Sequence, residues 1–171
     1  QKVHEGFAHK EFSCEELTRA YLARIALRQP LINAFITLSE ELALAQAQEV
    51  DARLRAGKPL RALEGVPCAV KDAILVKGVR ATAGSKILEQ YTASYDATVV
   101  TRLKEAGAVI LGKTNLHELA YGITSIELTT PPRYSRRFDS PQSWDWPASS
   151  AAQLQLSRSS LHISSSGLDT G

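Results

Sequence analysis

Lys71 is the residue of this chain whose placement packing alone explains least. It closes an apolar run, Val66-Pro67-Cys68-Ala69-Val70, which Gly65 and Pro67 introduce and which reads as a buried strand. Burial disfavours a charged ammonium, so a lysine at such a strand end has a lowered pKa unless a carboxylate holds its charge. Two uses follow. The amine can serve in its neutral form as a base. Alternatively, it can snorkel to the surface and pair with the next residue, Asp72. The two residues alone favour the ion pair.

Other chemistry-bearing residues offer less. Gly112-Lys113-Thr114-Asn115 imitates a phosphate loop, but the upstream glycine of that pattern is absent, which excludes nucleotide binding there. His117 has no histidine or cysteine at ligand spacing and reads as a surface or packing residue, so no metal site is expected. The two cysteines, Cys14 and Cys68, are too few for a disulfide framework.

The elements that must position Lys71 can be read from caps and periodicity. Ser13-Cys14-Glu15-Glu16 has the form of a capping box. The helix it starts carries Leu17, Tyr21 and Ile25 at four-residue spacing and should stop near Gln29, because Pro30 disfavours a helical residue before it. Leu31 to Leu38 reads as a short strand or extended link. Ser39 is the predicted cap of a second helix running to about Ala56, closed by Gly57. Both helices are expected to cover one side of a sheet. Past Lys71, the small residues Gly78, Ala81, Ala83, Gly84 and Ser85 predict a turn region. Asp96 is the predicted cap of a helix from Ala97 to Ala106, closed by Gly107, with Val99, Val100 and Leu103 turned inward. Ala108 to Leu111 predicts a strand buried on both faces, and GKTN is expected to lead into a short helix through Leu119. Strand, helix, strand in that order predicts an α/β fold with a mixed, mainly parallel sheet flanked by helices.

Composition narrows the class. Of 171 residues, 44% are hydrophobic and 22% charged, which suits a globular chain able to bury one core. A net charge of +2 gives no basic face for nucleic acid or an anionic membrane. No apolar run approaches membrane-spanning length and no signal-peptide pattern is visible, so a reducing cytoplasm is the expected location. A start at Gln1 and a stop at Gly171 suggest a piece of a longer gene product. From about Ile126 the chain is dense in Ser, Arg and Pro without helical or strand periodicity, and reads as a disordered tail, although Trp144 and Trp146 fit a tail poorly.

Four blocks carry a family resemblance: Pro67–Asp72 (P-x-A-V-K-D), Tyr95–Val100 (Y-D-A-T-V-V), Glu105–Asn115 (E-A-G-A-V-I-L-G-K-T-N) and Glu118–Gly122 (E-L-A-Y-G). In order and spacing they resemble the N-terminal third of the amidase signature family of serine hydrolases. Within it they are most similar to the glutamine-hydrolysing subunits of tRNA-dependent amidotransferases. The resemblance covers Ser13 to Ser125, so residues 1–125 are expected to form the N-terminal part of an amidase domain. Residues 126–168 are a divergent segment, and residues 169–171 begin the family's nucleophile motif.

The resemblance implies a Ser–cis-Ser–Lys triad in which Lys71 is the base, since an alcohol becomes a useful nucleophile only when a base takes its proton. Counted back from Asp169, the bridging serine falls at Ser149, with Ser150 behind it. Thr170 and Gly171 correspond to the oxyanion hole, and the nucleophile falls just beyond Gly171. No cofactor is implied in this chain. The partner subunit of an amidotransferase would use ATP and Mg2+ to activate misacylated tRNA, so glutamine or another small amide, partner subunits and, indirectly, tRNA are the implied partners, with no membrane. A chain lacking the nucleophile is expected to be inactive. The alternatives are a stand-alone amidase of the same family and a non-catalytic binding module. Ser149 and Ser150 lie among Trp146–Ala152 rather than in the family's glycine-serine loop. One choice of codons for Ser150–Ser157 encodes Gly-Gly-Ser-Ala-Ala-Ala-Val in the neighbouring frame. This predicts a frame shift after about Ile126, restored before Asp169, which the nucleotide sequence can check.

Overall fold

The computed structural model describes residues 2–121 together with two short strands, Ile163–Ser164 and Gly167–Leu168. In chain order the elements are α1 (Lys2–His9), α2 (Cys14–Ile32), β1 (Phe35–Leu38), α3 (Glu40–Arg55), β2 (Pro67–Lys71), α4 (Thr98–Glu105), β3 (Val109–Thr114), β4 (Ile163–Ser164) and β5 (Gly167–Leu168). Single 3-10 turns lie at Lys86–Leu88 and Glu118–Ala120. The first three strands form a mixed sheet ordered β1-β3-β2, in which β3 pairs parallel with β2 and antiparallel with β1. Strands β4 and β5 pair antiparallel with each other. The rest of the divergent segment, with the disorder and the frame shift expected of it, lies outside the described residues.

The α/β class holds, and the strand periodicity of β3 explains its layers. Val109 and Leu111 join Phe35 and residues of α1, α2 and α3 in one core. Ile110, pointing the other way, joins Val70, Val76, Val79 and Val100 of α4 in a second. Helices therefore cover both faces of the sheet. Leu17 and Ile25 are buried, as their spacing predicts. The Asp51 carboxylate of α3 accepts from the Cys14 and Glu15 amides (2.7 and 3.0 Å), so α3 supplies the first turn of α2 with acceptors its own backbone lacks.

Several local predictions fail where tertiary contacts outweigh local preference. The helix from Ser13 forms with its capping box intact, yet α2 runs through Pro30 to Ile32 instead of stopping near Gln29. Asn33 then takes a left-handed conformation, its N–H bonding Gln29 O. The Gln29 side chain exchanges two hydrogen bonds with the Phe35 backbone (2.6 and 3.1 Å), tying this helix end to β1. Ser39 occupies the cap position of α3, but its hydroxyl makes no capping bond, because the residue is held by its backbone N–H to Leu111 O. Gly57 closes α3 as predicted: its φ of +67° and the bonds Gly57 N–H to Leu54 O and Lys58 N–H to Arg53 O form a Schellman turn. Asp96 does not cap α4, whose cap residue is Ala97; it accepts from the Lys77 amide and pairs with Lys104 instead. Val99, predicted inward, is exposed, while Val100 is buried. The GKTN segment does not open a helix: Gly112, Lys113 and Thr114 extend β3, leaving only the turn Glu118–Ala120. Helix α1 had no local signal; it packs Phe7 edge-on to Phe12 and close above Gly65.

Candidate active site

Lys71 ends β2, and the ladder carries one step further through the Asp72 N–H to Thr114 O bond (3.0 Å). The register between β2 and β3 decides what surrounds it. Cys68 lies opposite Ile110 but Ala69 lies opposite Gly112, so Leu111 is an extra residue in β3, a bulge. The bulge frees the Ile110 N–H, which donates to the Gln46 side chain of α3 (2.8 Å). Gly112 is required beside it, since a Cβ there would collide with the Thr37 carbonyl of β1. After the bulge Lys113 stands opposite Val70 and Thr114 opposite Lys71. Lys113 thereby shares the Val70 face of the sheet with Asp72, while Lys71, one residue away, faces the other side.

The result is a dry polar cluster. Lys113 and Asp72 are both fully buried, and the Lys113 Nζ donates to Asp72 Oδ1 at 3.1 Å. Its other two protons have the carbonyls of Asp72 (3.4 Å) and Arg80 (3.2 Å) as acceptors. Asp72 Oδ2 accepts from both the Thr82 N–H (2.8 Å) and the Thr82 hydroxyl (2.6 Å). The Thr82 Oγ1 in turn accepts from the Gly84 N–H (3.1 Å). Ser85 Oγ donates to Glu118 (2.6 Å), and the Leu119 N–H donates to Ala83 O (2.7 Å). The end of β2, the small-residue turn and the segment after β3 are thus laced together. Burial holds Lys113 below an ordinary lysine, with the Asp72 carboxylate acting in the opposite direction.

Lys71 itself is half-buried, and among the described residues its amine has neither hydrogen-bond nor ion-pair partner. The Lys71–Asp72 ion pair that the sequence favours is therefore absent, because Asp72 is committed to Lys113. Burial pushes the Cys68 thiol up to about 11, so it stays protonated and offers no competing nucleophile at neutral pH. Among the described residues no three His, Cys, Asp or Glu side chains could together hold a metal ion, and no helix is long and apolar enough to cross a membrane. Ser149, Ser150, Asp169, Thr170 and Gly171 lie outside the described residues. Sequence reasoning missed Lys113 and Asp72 as partners. The available signal was a lysine embedded in an otherwise apolar strand, which demands a buried counter-charge.

Comparison with known proteins bears on the same residues. The amidase family model matches residues 16–134, more than half of the chain. The chain belongs to the amidase family. It is 53% identical over 121 residues to the A subunit of glutamyl-tRNA(Gln) amidotransferase from Pseudomonas fluorescens (strain SBW25), covering 71% of this chain and 25% of that protein. The corresponding protein of Thermosynechococcus vestitus (strain NIES-2133 / IAM M-273 / BP-1) is 47% identical over 122 residues, again at 71% and 25% coverage. The chain spans about a quarter of the length of these curated relatives. Among solved structures, the native peptide amidase of Stenotrophomonas maltophilia superposes with a TM-score of 0.64 at 39% identity, over 68% of this chain and 24% of that one. A vestigial protein complex bearing on the origins of an s-triazine catabolic enzyme gives 0.69 at 42%, over 72% and 27%. The resemblance in the four blocks is thus borne out, and so is the fold class.

Proposed function

We propose that this chain carries the base-bearing part of an amide-hydrolysing enzyme, in the form of the glutaminase subunit of a tRNA-dependent amidotransferase. The observation that carries the reading is Lys71: a half-buried amine at the end of β2, without a partner among the described residues, while the adjacent carboxylate is bound elsewhere. An amine left this way can take a proton from a serine hydroxyl, which an amine bound to a carboxylate does poorly. In the proposal Ser149 relays that proton, and the Thr170 and Gly171 amides stabilise the oxyanion. The chain supplies no cofactor; ATP and Mg2+ belong to a cytoplasmic partner subunit that accepts the ammonia for tRNA. The 53% identity to the Pseudomonas fluorescens amidotransferase protein favours glutamine as the amide.

A chimera tests this, with residues 16–121 replacing the matching stretch of that Pseudomonas fluorescens protein. Ammonia release from glutamine is expected in the chimera and lost with Lys71→Ala; retention in that variant would return Lys71 to a structural role. The likeness to peptide amidase supports a second reading, a stand-alone amidase. Faster release from simple amides than from glutamine, independent of partner subunits, would favour it.

A further inference from the structure

We propose that Lys113 is a positioning residue for Lys71: by binding the Asp72 carboxylate on one face of the β2–β3 ladder, it keeps that carboxylate from the Lys71 amine on the other. The inference rests on the reading of Lys71 as the base. A carboxylate next in sequence to a lysine is its nearest candidate counter-ion, and an ion pair stabilises the ammonium and weakens the base. Here both oxygens of Asp72 are taken, Oδ1 by Lys113 and Oδ2 by the Thr82 N–H and hydroxyl. Lys113 has an acceptor for each of its three protons and no exposure to water. The pair is neutral as a unit, so it adds little net field at Lys71. The bulge at Leu111 makes the arrangement possible, because without that extra residue Lys113 would fall on the opposite face from Asp72.

The charged and titratable groups on the elements meeting at this end are Cys68 and Asp72 on β2 and just after it, Lys113 on β3, His117 and Glu118 beyond it, and Arg80 and Lys86 in the turn region. Asp72 is the acid among them that adjoins Lys71 in the chain. If Lys113 loses its charge, Asp72 becomes a buried carboxylate in need of a cation, and Lys71 is one residue away.

The test uses the full 171-residue chain and needs no turnover. Pulsed acetylation with acetic anhydride across a pH series, followed by mass spectrometry of the Lys71 peptide, reads the titration of that amine. Lys113→Met is expected to raise the Lys71 midpoint by about one pH unit, a tenfold gain in proton affinity. The double variant Asp72→Asn/Lys113→Met, which removes both charges, is expected to restore the parent midpoint. An unchanged midpoint in Lys113→Met, or a double variant that stays shifted, overturns the proposal. Should Lys113→Met fail to fold by circular dichroism, Lys113→Gln, which removes the charge but keeps a donor for Asp72, takes its place with the same expected rise and the same overturning result. A midpoint about one unit lower in the double variant than in the parent shows that Asp72 already acts on Lys71 and likewise overturns the proposal. Because labelling involves no substrate, retained hydrolysis in the Lys71→Ala chimera would sink the catalytic reading while leaving this titration result standing.

Discussion

Strand β2 has a buried carboxylate at each end, and the two are held in opposite ways. Glu64, just before the strand, is gripped by Arg61 through Nε (2.7 Å), Nη2 (2.8 Å) and the backbone N–H (3.0 Å), with Arg53 Nε farther off at 3.3 Å. Both arginines are about one-quarter exposed, so their charge is partly hydrated. Asp72, just after the strand, has one cation, and that cation is completely buried. Arginine presents a planar fork whose far side can stay wet, whereas a lysine ammonium is a point charge that must leave water altogether to reach such a site. A buried pair is weak evidence for stability, since desolvation offsets most of the attraction. The Glu64 cluster is a clasp joining the start of β2 to the loop before β3, where Leu63 and Gly65 N–H bond Ala106 and Gly107 carbonyls. The Asp72 pair, by contrast, adjoins Lys71, the amine that the proposed mechanism needs unpartnered.

The largest expected effect tests that division of labour. In the chimera, Lys71→Ala should cut glutamine hydrolysis by about a thousandfold or more while leaving the thermal midpoint nearly unchanged. Glu64→Gln should do the reverse, lowering the midpoint with kcat kept. Equal losses of activity in both variants would erase the distinction between the two ends of β2.

Next in size is the stability of the dry end. Lys113→Met leaves Asp72 with no cation, and removing one member of a buried pair costs about 3–5 kcal/mol. Asp72→Asn/Lys113→Met should recover most of that in urea unfolding, because a neutral pair incurs no unpaired-charge penalty. A single variant as stable as the parent would mean that water reaches Asp72.

How much of this was legible in the sequence depends on the distance over which each signal acts. The Ser13 box and the Gly57 cap are decided within a few residues, and both formed as read. Lys71 stood out because it closes an apolar run and lies within the first of the four family blocks. Lys113 was not: its burial depends on a carboxylate 41 residues earlier and on a one-residue bulge, which no periodicity reports. Asp96 and Ser39 carry the right side chains for caps, yet Lys104 and the Lys77 amide engage the first, and pairing with Leu111 fixes the backbone of the second. Caps lose where a tertiary partner offers a better bond.

The wet end should respond more gently and in a pH-dependent way. Burial alone would push the Glu64 carboxyl up, but hydrogen bonds and charge from Arg61, with the Arg53 charge, outweigh it and hold the group below the ordinary carboxylate range. A carboxyl whose folded pKa is depressed contributes stability that is present above its unfolded pKa, about 4.3, and lost as pH falls through the folded value. The parent should therefore lose unfolding free energy between about pH 5 and pH 3 more steeply than Glu64→Gln. Asp96 and Glu15, also held low by basic neighbours, contribute to the slope that remains. At pH 7, Glu64→Gln should cost about 1–3 kcal/mol, less than Lys113→Met, because the arginines it abandons can rehydrate. Parallel acid limbs in parent and variant would show that Glu64 does not titrate with folding.

The smallest effect separates the two arginines. Arg61 makes a fork to both Glu64 oxygens with distances of 2.7 and 2.8 Å, from a position three residues away on the same turn, so little side-chain freedom is lost in forming it. Arg53 reaches across from α3 at 3.3 Å to one oxygen and at 3.4 Å to the Pro59 carbonyl, both long bonds from a long, partly hydrated side chain. Such a contact is worth about 0.2–1 kcal/mol. Arg53→Ala should fall in that range and Arg61→Ala should exceed it, approaching the loss seen in Glu64→Gln. In the double variant the two losses should not simply add, because both act on one carboxylate; once Arg61 is gone, Arg53 is the remaining cation, and its removal costs more than it did in the parent. Strict additivity in urea unfolding would mean that the two arginines do not share Glu64 and that the clasp is a single ion pair with a bystander.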